Sequence, residues 1–175
     1  MNDLVLLIEP LIPALRRYAR ALLRDRTEAD DLVQDCLERA VTRWHQRRAD
    51  GSPRPWLFSI LHNLAMNHLG HRRPGRPVPI EDADEGALAT SPRQPDALRH
   101  RDLLRGLEQL SLDQRTVLLL VAVEGVSYAE AAQILDVPIG TVMSRLARAR
   151  GRLLQLMEGE NEQPAVPVAH LRRIQ

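Results

Sequence analysis

Thr141, Ser144, Arg145, Arg148 and Arg152 recur at three- and four-residue spacing, which places hydroxyls and guanidinium groups along one side of a helix. Guanidinium groups suit phosphate contacts and bidentate bonds to guanine alike, and spacing does not choose between them. Val142, Leu146, Ala149 and Leu153 form the apolar stripe of the same helix. Just upstream, Ser127 and Glu130 have the S-x-x-E spacing of a capping box, followed by Ala131, Ile134 and Leu135 at helical spacing. Asp136-Val137-Pro138 ends that helix, because proline lacks an amide and restricts the residue before it; the next helix starts near Gly140-Thr141. Two short helices about a tight turn predict a helix-turn-helix whose second helix enters a DNA major groove. A helical hairpin with a solvated arginine face has the same pattern.

A second group of polar residues lies in the first half of the chain. Thr27 is placed to cap a helix that opens with Glu28, Asp30 and Asp31, acids that suit the positive end of the helix dipole. Gln34, Asp35 and Glu38 lie too far along for the dipole to explain and predict a docking surface for a basic partner. Asn63 and Asn67 are four apart on one helix face, and an amide can both donate to and accept from a base edge. His68 and His71 lack a third ligand of suitable spacing, so no metal is expected. Cys36 is the only cysteine, which rules out an internal disulfide. No nucleophile-base ordering, glycine-rich phosphate loop or paired carboxylates appear, so neither catalysis nor a cofactor is expected.

The elements that must position these groups are all helical. Leu11–Leu23, Leu32–Val41 and Trp56–Leu69 carry apolar residues at helical spacing, with Arg47–Pro55 as a loop. Helices resume over Ala97–Leu110, and Ser111 with Gln114 repeats the capping-box spacing before Thr116–Val123, which Gly125 ends. Between them, residues 74–96 hold five prolines, two glycines and five acids and predict a flexible linker. Net charge runs +3 over 1–73, −3 over 74–96, +2 over 97–157 and −1 over a mobile tail, 158–175. The expected fold is all-α, two small helical domains (1–73 and 97–157) joined by a linker, with no membrane span and a cytoplasmic location. The overall charge of +1 would not point to nucleic acid, but its local distribution permits it.

Thr27–Trp44 followed by Pro55–Arg73 resembles the second region of bacterial sigma factors, and residues 111–150 resemble their fourth region. The order, the intervening linker and the missing third region resemble the extracytoplasmic-function class. The resemblance implies that Asp30 to Asp35, the D-D-L-V-Q-D motif, dock on core RNA polymerase, with Asp31, Gln34, Asp35 and Glu38 as contacts. It implies that Asn63, Asn67, Arg54, Arg72 and Arg73 hold melted −10 DNA, and that the Arg47–Arg54 loop helps to hold a flipped base. It implies that Thr141, Met143, Ser144, Arg145, Arg148 and Arg152 read the −35 duplex. Met143 and Ala147 stand where some members have larger or charged base-contacting residues, so readout here leans on Ser144 and Arg148 or on DNA shape.

The implied function is promoter-specific initiation with core polymerase, under the control of an anti-sigma factor. Two other readings compete. A stand-alone helix-turn-helix regulator would normally be a dimer on a two-fold operator. A sigma mimic would sequester an anti-sigma factor without initiating.

Overall fold

The computed structural model describes residues 2–47, 51–71 and 103–159. The linker expected over 74–96, the start of the helix expected from Ala97, Arg72, Arg73 and nearly all of the 158–175 tail lie outside the described residues. Those described contain helices and no strands.

Helix α1 (Asn2–Ile8) runs through a 3-10 turn into α2 (Ile12–Leu23). Leu15, Tyr18, Ala19, Leu22 and Leu23 are buried on α2, as helical spacing requires. Arg24 turns left-handed at φ 60°, and Asp25, not Thr27, caps α3 (Arg26–Thr42). The Asp25 side chain accepts a hydrogen bond from the Glu28 amide at 2.9 Å, the geometry an N-cap needs. Asp25→Ala is expected to cost about 1 kcal/mol in a denaturation titration, and Thr27→Ala close to nothing. Leu32, Val33, Cys36 and Ala40 are buried on α3, whereas Val41, expected on that face, is 56% exposed.

Helix α4 (Pro53–His71) starts earlier than the expected loop boundary. Pro53 and Pro55 sit in its first turn, where a missing amide leaves no bond unmade. Phe58, Leu57 and Leu61 are fully buried on α4, and Phe58 meets Tyr18 edge-on at 5.4 Å between ring centroids. These three long helices make the first lobe.

In the second lobe, a helix over 103–109 (α5) precedes α6 (Leu112–Leu118), which continues as a π-helical turn, Leu119–Val123. Then come α7 (Tyr128–Leu135) and α8 (Ile139–Gly159). Both expected capping boxes form, Ser111 with Gln114 and Ser127 with Glu130. Gly125 takes φ +65°, where a Cβ would be strained, and so turns the chain from the π-helical segment into α7. Buried Arg115 donates to the carbonyls of Leu107, Glu108 and Leu110 and Arg24 donates to that of Glu108, so side chains satisfy the end of α5.

The two lobes pack directly on each other. α4 packs on α7, α2 meets α6 and the π-helical turn, and the buried apolar side chains of both lobes form one connected cluster.

Candidate nucleic-acid interface

Val142, Leu146 and Ala149 are buried on α8, which turns Met143, Ser144, Ala147, Arg148 and Arg152 outward. Ser144 Oγ donates to the Thr141 carbonyl at 3.1 Å, and Arg148 reaches Ser144 through both its carbonyl and its hydroxyl at 3.2 Å. The Arg148 guanidinium is thus steered over Ser144 while staying exposed. From 139 to 157 the helix has four arginines and no acid, so its outer face is suited to a polyanion. Arg145 departs from this group: it is half-buried and its Nη2 pairs with Asp113 Oδ2 at 2.6 Å. The sequence could not show this, because Asp113 comes from another helix.

On α3, Asp31, Gln34, Asp35 and Glu38 are all exposed and form one strip, in which the Gln34 amide donates to Glu38 at 3.2 Å. Asp30 is separated from them. Its carboxylate takes two bonds from Arg20 at 3.0 Å, with Arg16 at 3.8 Å, and so ties α3 to α2. The motif thus divides into one structural acid and an outward face.

On α4, Asn63 and Asn67 are exposed. Trp56 is half-buried against Trp44, edge-on at 5.9 Å, and the Arg47 guanidinium lies 4.6 Å from the centre of the Trp44 ring. Arg54 does not join the asparagines: nine residues apart on a helix means opposite faces, and it points at the second lobe. His68 bonds Glu28 at 3.2 Å.

Sequence spacing missed two residues. Glu124 has a side chain only 1% exposed, and Arg17 grips both its oxygens at 2.7 Å from the other lobe. His62 is buried in the same interface, 3.2 Å from the Tyr18 hydroxyl. Burial pushes the His62 imidazole down to about 4, with the charge of Asp113 pulling the other way. A base whose folded value lies below its unfolded one loses stability as pH falls, here from about 6.5 to about 4. Urea titrations at pH 7 and pH 4 are expected to show about 3 kcal/mol of acid-induced loss that His62→Gln lacks.

The geometry defines a two-lobed helical protein with a helix-turn-helix in its second lobe. Residues 8–62 match the family model described as the Sigma2 domain of PhyR, and residues 100–153 match Sigma-70, region 4. The ECF RNA polymerase sigma factor EcfG of Rhodopseudomonas palustris (strain TIE-1) is 36% identical over 149 residues, covering 83% of this chain and 80% of that protein. The sigma factor RpoE of Bartonella quintana, solved in complex with the anti-sigma factor NepR, superposes with TM-score 0.74 at 31% identity over 90% of this chain and 98% of that one. The anti-anti-sigma factor PhyR of the same organism, 22% identical with TM-score 0.53, shares the fold; 85% of this chain matches 48% of it. The chain belongs to the ECF RNA polymerase sigma factors, of the sigma-70 family. Among the described residues no helix is long and apolar enough to cross a membrane.

Proposed function

We propose that this sigma factor divides initiation between its lobes. The strip Asp31, Gln34, Asp35 and Glu38 docks on core RNA polymerase in the cytoplasm. Asn63 and Asn67, with Arg72 and Arg73, hold the melted −10 strand, and Arg54 adds a backbone contact. The outer face of α8, Thr141, Met143, Ser144, Arg148 and Arg152, reads the −35 duplex, with Arg145 joining once Asp113 releases it. Polymerase supplies the catalysis, and an anti-sigma factor holds the chain inactive by covering the lobes. The observation that carries this reading is the acid-free outer face of α8 set against the acid strip of α3: one face fits DNA, the other a basic protein.

The packed lobes have a mechanical consequence. Promoter elements about 25 base pairs apart are separated by about 85 Å at 3.4 Å per step, more than two touching lobes of a small protein span. The lobes therefore part when both elements are engaged.

The match to the PhyR domain supports a second reading, a mimic that binds an anti-sigma factor without initiating. Transcription of fragmented genomic DNA by sigma-free core polymerase separates the two. Discrete new start sites preceded by shared elements support the sigma reading. Anti-sigma binding with neither starts nor core affinity would leave the mimic.

A further inference from the structure

Glu124 is a buried acid supplied by one lobe and neutralised by the other. Arg17 Nε and Nη2 hold its two carboxylate oxygens at 2.7 Å, and Arg54 Nη2 lies 3.7 Å from one of them. Arg54 also donates to the Glu124 backbone carbonyl. Only the acid is enclosed: its side chain is 1% exposed, while those of Arg17 and Arg54 remain 39% and 37% exposed. The Nε of Arg54 is buried with no acceptor among the described residues, so this guanidinium has a donor to spare. Pro55 and Trp56, which follow Arg54 on α4, line a cleft of about 620 Å³ together with Arg47, Ser52 and Ser59 of the first lobe. Glu130 and Gln133 of α7 wall its other side. Seen from the first lobe, the surface is a cationic groove with an aromatic ring, the combination that holds single-stranded nucleic acid.

We propose that Arg17 and Arg54 form an anion site for a phosphodiester of single-stranded promoter DNA, and that Glu124 occupies it as an internal competitor while the lobes are packed. The inference rests on the reading that the first lobe holds melted DNA. A carboxylate and a phosphate offer arginine the same paired oxygens, so one can replace the other. The Trp56 ring, two residues on from Arg54 and lining that cleft, favours DNA over an acidic peptide, which needs no stacking partner. The packed chain alone is then a weak single-strand binder, and separation of its lobes creates the site.

The test uses the full chain with dyes on Thr42→Cys and Gln155→Cys, both exposed positions. Cys36 stays unlabelled, because burial removes it from solvent and pushes its thiol up to about 12. The ligand is a probe of about 16 nucleotides, the upper end of the site size of a single-strand groove, carrying the non-template −10 strand of a promoter found by transcription. Glu124→Gln is expected to lower energy transfer between the lobes and to tighten probe binding about tenfold, the worth of a charge-assisted bond. Arg17→Ala should lower transfer equally yet bind the probe no better than the natural chain. Equal tightening by both variants would reduce Arg17 to a latch and overturn the anion site. Unchanged transfer in both, or weaker probe binding by Glu124→Gln, would also overturn it. Should Glu124→Gln fail to melt cooperatively, the natural chain decides: saturating probe must lower its transfer, and constant transfer rejects the competition. Start sites made by the natural chain with core polymerase are scored in parallel. Their absence defeats the sigma reading; their presence with indistinguishable variants defeats only this inference.

Discussion

Arg148→Ala is expected to cut transcription from promoters that depend on a −35 element by about tenfold to a hundredfold, the range for losing one good base contact. Core polymerase affinity should stay within about twofold, since rim and distant positions usually act independently. Arg148 is exposed and, among the described residues, bonds the carbonyl and hydroxyl of Ser144, one turn earlier on the same helix. Truncating it removes no buried contact, so the fold is not the thing being tested. Nearby Arg145 makes the contrasting control. Arg145→Ala breaks the 2.6 Å pair with Asp113 and should lower stability as well as DNA affinity. Abortive and full-length transcripts from one promoter, with its −35 element intact or scrambled, give the readout. An equal loss on both templates, or a loss of core binding, would take Arg148 out of the −35 contact.

Asp35→Arg is expected to weaken core polymerase binding by about a hundredfold and to reduce every promoter alike, because reversing a charge both removes an attraction and adds a repulsion. Asp35 is exposed in the middle of the strip that runs from Asp31 to Glu38, so replacing it disturbs no buried packing that would confuse the outcome with unfolding. Asp30→Ala is the informative neighbour. It would release Arg20 and Arg16 and loosen α2 from α3, so its effect should register in a thermal melt before it registers in core affinity. Binding of labelled chain to core polymerase at two salt concentrations completes the test: the natural chain should lose affinity with salt and Asp35→Arg should lose much less. Unchanged core affinity in Asp35→Arg would exclude Asp35 from the docking face.

These two results would also show how far a linear reading reaches. The helices, both capping boxes, the break at Pro138 and the outward direction of Ser144 and Arg148 are local properties, set within a few residues by amide geometry and helical spacing. So is the exposure of Asp31 to Glu38, since burial of Leu32, Val33 and Cys36 fixes which way that helix faces. Family resemblance could be read from the same motifs, in order. Even some local details needed the fold: Asp25 caps α3 in place of Thr27 because Arg24 turns left-handed just before it.

What spacing could not supply is which side chains meet across the chain. Arg17 and Glu124 are 107 residues apart, and Arg54 and Glu124 are 70 apart, with the 74–96 segment between the lobes. No periodicity connects them. The same holds for Arg145, claimed by Asp113, and for His62, whose burial in the interface pushes its imidazole toward the neutral form. Helix faces follow from neighbours in sequence because backbone hydrogen bonds are short-range. The partners of charges follow from packing two apolar surfaces together, and only the folded chain brings those surfaces into contact.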